Sequence, residues 1–390
     1  MNKSNRIIGL LLAQGTNYGA LLQSYATQVV VRKMGYETAI INYNASRRDL
    51  FRTEIEVFIH ILKSHIGNGG NRKNMQKLDE LHKRNKEERI SAQKKFLHER
   101  FINRMMFHDY KSLITFGKSL SAVLVGSDQS WLPGSLFGVV RSFRFVPDSV
   151  RRISYATSLG VSEYPRYCWR NARKVWKSID FLSVREEQGK KIIQQVCGKI
   201  PVSVVCDPTY LLTQSEWLDL IPFQKLEEDK YVLCYFLGTD TKLFKMARDF
   251  ANSKGLKLLS ILTCEVVSEG DATFPDRLIT GAGPEDFVNF IRGAEYVLTD
   301  SFHGTAFSVI NEKQFFLFYP KRDYLKQSRN SRLDNIVRMW GLEDRLIVNK
   351  DTNWPPRDVL PIDYNIVKKR VSDKRLESLE FLTKALTFDD

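Results

Sequence analysis

The sequence of 390 residues predicts an α/β protein made of two Rossmann-like halves that face each other across a cleft. Three observations lead to this fold class. Apolar, strand-like runs alternate with helical patterns, polar turns follow the strands, and the alternation starts afresh after residue 213. A chain of this length exceeds one ordinary core, so two domains are expected.

The first half opens with a strand, a polar turn and a helix. Ile7 to Leu12 is a continuous apolar run, the turn holds Asn17 and Tyr18, and a helical pattern continues to Gly35. Further strand-like runs follow at residues 37–42, 122–125, 153–157, 181–184 and 202–206. We assign residues 1–212 to an N-terminal domain with a parallel sheet.

A basic segment interrupts this half at about residues 50–118. From Lys63 to Lys111 the sequence has 13 Lys or Arg residues against 6 Asp or Glu residues. The pattern predicts an inserted helical hairpin. Two uses are compatible with it: a solvated helical excursion, or a docking surface for a membrane or another polyanion.

The second half repeats the alternation. Its predicted strands are residues 231–236, 256–261, 296–299 and 314–318, and its predicted helices are residues 242–254, 284–292 and 305–310. We assign residues 213–350 to a C-terminal domain and residues 351–390 to a C-terminal helix that packs back across both domains. Because parallel sheets bind ligands beyond the carboxyl ends of their strands, the polar turns should line the cleft.

Composition narrows the partners. The formal charge of +14 favours anions such as phosphorylated metabolites, nucleic acid or acidic lipids. Five cysteines without a CxxC pair predict reduced core thiols and a cytoplasmic protein. No apolar run approaches the roughly 18 residues of a membrane span, so membrane contact would be peripheral. Motifs for simple NTPase, dinucleotide and zinc chemistry are missing from the sequence, and no metal site is expected.

The turn from Asp300 to Gly304 joins a predicted strand to a predicted helix. Free backbone N–H groups and the helix dipole favour a phosphate or carboxylate there. His303 is the one histidine of six that belongs to the alternating framework, so it is the candidate charged donor or general acid. A capping or domain-contact role is the alternative. Nearby cations suit the same anion, although each could be solvated surface: Lys321, Arg322, Arg329 and Arg332.

Two more strand-end loops carry candidate residues. Asp128 could act as a base or bind sugar hydroxyls, Trp131 could stack on a sugar face, and Arg185 could hold an anion. Structural capping explains Ser127 and Asp128 equally well. The segment Asp207-Pro208-Thr209 is interpreted as a turn and cap.

Together these loops resemble the polysaccharide pyruvyl transferase family. The matching segments are residues 16–23, 125–131, 154–160, 183–186, 207–209, 299–305 and 330–332. The resemblance covers about residues 5–345. Ala20 stands where many relatives have the Asp of N-x-G-D, so no carboxylate is assigned to the first loop.

The resemblance implies a fold like that of the GT-B glycosyltransferases and a reaction without metal or cofactor. The enolpyruvyl group of phosphoenolpyruvate would pass to two sugar hydroxyls as a ketal, and phosphate would leave. His303 would protonate C3 or bind the departing phosphate, with Asp128 as first and Asp300 as second candidate base. Phosphoenolpyruvate would contact Arg185, Ser301, His303, Gly304, Lys321, Arg329 and Arg332. The acceptor would contact Asn17, Tyr18, Asp128, Gln129 and Trp131.

The same resemblance implies an acceptor hexose, such as galactose, in a lipid-linked repeat unit of a bacterial capsule or exopolysaccharide. The N-terminal domain would bind this acceptor at the inner face of the cytoplasmic membrane, and the C-terminal domain would bind phosphoenolpyruvate. The basic insertion would then face anionic lipids. Two alternatives remain: a GT-B glycosyltransferase with a nucleotide-sugar donor, and a non-enzymatic polyanion-binding protein. Nucleic acid is disfavoured, because the sequence lacks a basic-aromatic repeat.

Overall fold

A computed structural model describes most of the chain, including both groups of predicted strands. The described residues are 3, 6–13, 15, 17–44, 72–263, 268–319, 330–348, 354 and 360–388. They form two parallel sheets with helices packed on them. This confirms the predicted α/β fold class with two Rossmann-like sheets. The four described cysteines are buried free thiols, as predicted, and Cys264 lies outside the described residues.

The first sheet is formed from the N-terminal half. Its strands are β1 (Ile7–Leu11), β2 (Glu37–Tyr43), β3 (Arg104–Phe107), β4 (Ala122–Val125), β5 (Arg151–Thr157), β6 (Phe181–Val184) and β7 (Ser203–Val204). Their spatial order is β3-β2-β1-β4-β5-β6-β7. In the centre, Leu10 of β1 lies opposite both Ile40 and Leu124. The order reverses between β1 and β4, so the turns leaving these strands border the crevice where such sheets bind ligands.

The second sheet repeats this plan. Its strands are β8 (Tyr231–Tyr235), β9 (Lys257–Ile261), β10 (Arg277–Ile279), β11 (Tyr296–Thr299), β12 (Gln314–Phe318) and β13 (Leu346–Ile347), in the order β10-β9-β8-β11-β12-β13. All five residues of β8 are buried, as expected for a central strand covered on both faces. Here the order reverses between β8 and β11, directly before the turn that holds His303.

The helices connect these strands and pack on the faces of the sheets. They are α1 (Tyr18–Lys33), α2 (Arg72–Arg100), α3 (Tyr110–Gly117), α4 (Trp169–Lys177), α5 (Glu187–Cys197), α6 (Gln214–Leu220), α7 (Thr241–Lys254), α8 (Glu269–Thr273), α9 (Pro284–Gly293), α10 (Phe302–Ile310), α11 (Ser331–Trp340) and α12 (Tyr364–Leu386). One hydrophobic cluster includes Ile8 and Leu124 of the first sheet and Leu233 and Val297 of the second. The two sheets therefore share a continuous core.

The described part of the basic insertion is not wholly helical. Residues 45–71 lie outside the described residues, and the rest begins with the single long helix α2. The next segment, Arg104–Phe107, is not helical: it joins the first sheet as the edge strand β3 beside β2. Four residues with a mostly exposed pattern carry too little apolar signal to stand out within a basic segment.

Helix α2 also links the two halves. Arg89 is buried, donates to the Leu262 carbonyl oxygen at 2.7 Å and places its guanidinium 3.5 Å from the Tyr18 ring centre. Asn85 donates to the Thr263 carbonyl oxygen at 2.9 Å. Arg89 therefore belongs to the contact between the halves, so this one cation of the insertion does not face a lipid surface.

Helix α12 contacts both halves as well. At its start, the Tyr364 hydroxyl donates to the Ser308 carbonyl oxygen at 3.4 Å, next to the second sheet. Further along, Ser378 Oγ accepts the N–H of Cys206 at 3.0 Å, at the end of the first sheet. The carboxyl-terminal helix α12 thus packs against both halves of the protein.

Candidate functional site

The turns after the central strands of the two sheets meet at one place. His303 is at the start of α10, just after β11, and its imidazole Nε2 lies 3.7 Å from Oδ2 of Asp207, a residue of the first half. This is ion-pair range but longer than a hydrogen bond. Both side chains are buried, and Nε2 has no hydrogen-bond partner among the described residues. The two groups form a polar contact across the interface of the halves.

The glycine of the first turn makes room for this histidine. A Cβ atom added to Gly19 would lie 1.9 Å from the His303 Nδ1 atom, so no other residue fits there without moving the ring. Asn17 begins α1 as its N-cap, and its Oδ1 accepts the Gly19 N–H at 2.8 Å. The Asn17 to Gly19 turn therefore shapes the wall against which the imidazole packs.

Asp207 holds several groups of the site at once. Its Oδ1 caps the short helix Pro208–Leu211 by accepting the N–H and hydroxyl of Thr209, which confirms the predicted cap. Its Oδ2 accepts from the Ser127 hydroxyl at 2.8 Å and from Arg185 at 2.9 Å. Burial raises the pKa of this carboxyl, but His303 and Arg185 outweigh burial and hold the pKa far below its usual range.

Arg185 is neutralised by carboxylates. Beyond Asp207, its guanidinium contacts Asp128 at 3.4 Å and Glu186 at 3.5 Å, and it stacks 4.1 Å from the ring centre of Phe302. The side chain is 1% exposed. Burial lowers the pKa of Arg185, but the three carboxylates outweigh burial and raise it. Arg185 was predicted to hold a substrate anion; with no open face, it instead fixes the carboxylates of the site.

Asp128 is the most accessible carboxylate of this group, with a side chain that is 23% exposed. Its φ of 68° is in the left-handed region, which Asp tolerates better than most residues and which often marks a functional turn. Burial raises the pKa of Asp128, but the surrounding charges, led by Arg185, hold it below the ordinary value. Asp128 is therefore an ionised group beside His303 and Arg332.

Arg141 is a member of this cluster that sequence reasoning missed. Burial lowers the pKa of its guanidinium, and the nearby Asp128 partly offsets this shift. One terminal nitrogen of Arg141 is buried and has no hydrogen-bond partner among the described residues. Arg332, predicted from its position before α11, is also buried, and its charge lowers the pKa of Asp128. Two arginines thus interact electrostatically with Asp128 in addition to Arg185.

Ser301 and Gly304 serve the start of α10. Ser301 is the N-cap, and its Oγ accepts the Gly304 N–H at 3.3 Å. A Cβ atom on Gly304 would lie 2.4 Å from Thr299 Oγ1, so glycine lets the helix pack closely on β11. Both were predicted to bind phosphoenolpyruvate; their observed contacts position His303.

Two of the predicted acceptor contacts are wrong. The Tyr18 ring is buried, stacks on Phe287 at 4.7 Å and donates from its hydroxyl to the Ala282 carbonyl oxygen at 2.9 Å. Trp131 is buried in the core beside Trp176 at 6.0 Å. Neither ring can stack on a sugar. An aromatic residue after a strand can turn inward or outward, and the direction depends on distant packing partners that the local pattern does not reveal.

The remaining candidate residues divide into three groups. Gln129 is half-buried beside Asp128, and Asn17 is half-buried at the first turn. Lys321 and Arg329 lie outside the described residues. Asp300 accepts the N–H groups of Leu237 and Gly238 at 2.5 and 3.0 Å, so its carboxylate fixes the loop after β8. Asp300 was the second candidate base, and these contacts give it a structural role.

Within the described ranges, no group of three His, Cys, Asp or Glu side chains is arranged to hold a metal ion. No helix in the same ranges is long and apolar enough to cross a membrane. The donors at the site are instead guanidinium and imidazole groups, which bind anions.

Solved structures share the fold of this chain. They include UGT89C1 of Arabidopsis thaliana complexed with UDP-L-rhamnose, at a TM-score of 0.53 and 10% identity, covering 99% of this chain and 100% of that one. MnaA of S. aureus in a co-structure with UDP has a TM-score of 0.50 and 13% identity, with coverages of 96% and 90%. These similarities show a GT-B fold and no more, because the sequences are too different to carry a donor preference.

A comparison with curated protein sequences finds no match. The sequence model of one family does match, over residues 17–322, and its description is polysaccharide pyruvyl transferase. This range includes the turns at Asn17, Asp128, Asp207 and His303, which the fold brings together at one site. The chain therefore belongs to the polysaccharide pyruvyl transferase family.

Proposed function

We propose that the protein transfers the enolpyruvyl group of phosphoenolpyruvate onto two hydroxyls of a hexose, such as galactose, in a lipid-linked unit of a surface polysaccharide. The observation that carries this proposal is the buried pair of His303 and Asp207, 3.7 Å apart, which joins the two halves beside several arginines. A proton carrier within a cationic cluster suits a donor that must gain a proton while it carries a phosphate and a carboxylate.

The first step of the proposed reaction is proton transfer. The His303 imidazolium gives its proton to C3 of phosphoenolpyruvate, a C–H bond forms, and C2 becomes an electrophilic oxocarbenium centre. Asp207 stabilises the imidazolium before this transfer, because its carboxylate stays ionised. In the alternative form of the proposal, His303 binds the departing phosphate instead.

The next steps make the ketal. One sugar hydroxyl adds to C2, and Asp128 accepts its proton as the C–O bond forms. The bond from C2 to the phosphate oxygen then breaks, and phosphate leaves with the bonding electrons. The second hydroxyl adds to the same carbon and closes the ring, and its proton passes to the neutral His303 imidazole, which restores the imidazolium; the proton on Asp128 leaves with the phosphate. No oxidation or reduction occurs, and no cofactor enters the scheme.

Arg141 and Arg332 are the proposed anion clamps. Arg332 contributes to the positive charge around Asp128, and Arg141 has a buried nitrogen without a partner among the described residues. A guanidinium can make paired hydrogen bonds to a carboxylate or a phosphate. Lys321 and Arg329 are further proposed clamps, and Asn17 and Gln129 are proposed contacts of the acceptor sugar.

A donor comparison tests the proposal. The purified protein is incubated with a hexose acceptor and either phosphoenolpyruvate or a panel of UDP-sugars, and the release of phosphate and of UDP is measured. We expect acceptor-dependent phosphate release from phosphoenolpyruvate and no UDP release. Release of UDP from a UDP-sugar, without turnover of phosphoenolpyruvate, would replace the proposal by the nucleotide-sugar alternative.

A further inference from the structure

A strongly basic surface lies outside the site, on α4 and the turn before it. Five cations form this surface, which we call the α4 surface: Arg166, Arg170, Arg173, Lys174 and Lys177. All five are exposed, and the sequence from Tyr164 to Ile179 has no Asp or Glu. None of the five forms an ion pair within the part of the chain that the structure describes. The acidic residues flanking this stretch are Glu163 and Asp180.

The five cations share one side of the helix. Arg166, Arg170, Arg173 and Lys177 are spaced three or four residues apart, which repeats with the helical turn, and Lys174 follows Arg173 directly, so the five form a stripe about 16 Å long. The opposite side of α4 packs into the core through Ala172, Val175 and Trp176. Tyr167, beside the start of the stripe, is 63% exposed. Basic residues along one helix side with an exposed aromatic ring are typical of a surface that rests on anionic lipid headgroups.

The insertion helix α2 makes an informative contrast. Its exposed residues mix both signs: Lys83, Arg84, Lys86, Lys94 and Lys95 alternate with Asp79, Glu80, Glu87 and Glu99. Arg84 also pairs with Glu88 at 2.8 Å. Exposed acidic residues are thus interspersed with the exposed cations of α2, whereas the stretch that carries the α4 surface has none.

The α4 surface is also connected to the candidate site. Asn171 of α4 donates to the carbonyl oxygen of Leu136 at 2.6 Å. Leu136 lies in the segment that runs from Asp128 to Arg141, the two residues that approach each other at the site. A bilayer against α4 would therefore lie beside the half of the molecule that carries Asp128.

We infer that the α4 surface is where this protein docks on an anionic lipid bilayer. Its use in delivering a lipid-linked acceptor rests on the proposed function, whereas docking itself does not. The negative potential of the bilayer attracts the uncompensated cations, and Tyr167 enters the headgroup layer.

Vesicle flotation tests the inference. The full chain is mixed with vesicles of phosphatidylcholine, with or without phosphatidylglycerol. The test variant is Arg170→Glu with Lys174→Glu, and the matched control is Lys83→Glu with Lys94→Glu on α2. We expect the unaltered protein to float only with phosphatidylglycerol. The α4 variant should bind at least about 25-fold more weakly, since each cation near an anionic surface is worth about five-fold in binding. The α2 variant should float normally.

Three results would overturn the inference: an α4 variant that floats like the unaltered protein, an equal loss in the α2 variant, or equal binding to neutral vesicles. Thermal unfolding of each variant shows whether it is folded. Turnover of a lipid-free acceptor should be unchanged in the α4 variant. If the α4 variant loses flotation while the unaltered protein does not use phosphoenolpyruvate, docking stands and the proposed reaction fails.

Discussion

Asp207 and Asp300 are both buried aspartates in strand-end turns, one in each half, yet their partners differ. Asp300 accepts two backbone N–H groups of the loop after β8, both in its own half. Asp207 takes Ser127 and Arg185 from its own half and approaches His303 of the other. The comparison shows that two buried carboxylates can differ in their partners, and we expect those partners, rather than burial, to decide which carboxylate takes part in the reaction.

The largest effect is expected at Asp207. In Asp207→Asn the buried Arg185 loses a compensating charge, and so does the imidazolium that we propose for His303. We expect phosphate release to fall about 10²- to 10⁴-fold, as when a carboxylate that orients a catalytic histidine is removed. We also expect unfolding to become easier by about 3–5 kcal/mol, because one partner of a buried ion pair is lost. Steady-state kinetics and urea unfolding measure both, and normal turnover in a folded variant would remove Asp207 from the mechanism.

Asp271 is a third buried aspartate, and it extends the comparison because no cation counteracts the effect of burial on its pKa. Burial raises the pKa of Asp271 to about 6, although three hydrogen bonds from Ser260 and Ser268 lower it. Because folding raises this pKa, ionisation of the carboxyl lowers the free energy of unfolding of the protein as the pH rises from about 4 through 6.

Asp271→Asn should therefore abolish this loss. We compare the free energy of unfolding of the variant with that of the parent at each pH. From pH 4 to pH 8 this difference should shift in favour of the variant by about 2–3 kcal/mol, since each pKa unit corresponds to about 1.4 kcal/mol. Urea unfolding at several pH values checks this. Parallel pH profiles of the two proteins would show that Asp271 does not carry a raised pKa.

At Asp300 we expect an effect on stability alone. In Asp300→Asn the side-chain amide turns an N–H group towards one of the two backbone N–H donors, so that donor loses its acceptor. An unsatisfied buried group of this kind lowers the free energy of unfolding by about 1–3 kcal/mol. Turnover, measured well below the unfolding transition, should change by only a few-fold. A loss of turnover as large as that of Asp207→Asn would erase the distinction between the two aspartates.

The smallest effect is expected at Arg141. Removing one anion clamp in Arg141→Ala should raise KM for phosphoenolpyruvate about tenfold, close to the value of one charge-assisted hydrogen bond, while kcat changes less. Arg144→Ala is the matched control, because that exposed arginine lies only three residues away. Equal KM values for the two variants would exclude Arg141 from donor binding.

The sequence predicts most of the fold, because local apolar patterns identify the central strands and the helices that follow them. Ile7–Leu11 and Tyr231–Tyr235 were both recognisable in this way. The edge strand Arg104–Phe107 was not, since its exposed side chains resemble the basic helix before it. Strands at the centre of a parallel sheet are thus predictable, and a short edge strand is not.

The site was predicted in part. His303 and Asp128 were found because they follow central strands in polar turns, and strand ends converge in such sheets. Asp207 was correctly interpreted as a cap, but a carboxylate has two oxygens, and only the fold shows that Oδ2 faces Arg185 and the other half. Arg141 follows no strand, so no local signal could have identified it.

The most direct test of the account is phosphate release from phosphoenolpyruvate by His303→Gln, at saturating donor and acceptor. Glutamine keeps a polar side chain of similar reach, but it cannot carry a proton. Calorimetry with phosphoenolpyruvate verifies that the donor still binds. We expect the variant to bind phosphoenolpyruvate and to release no acceptor-dependent phosphate. Near-normal turnover would contradict the central role of the His303 and Asp207 pair.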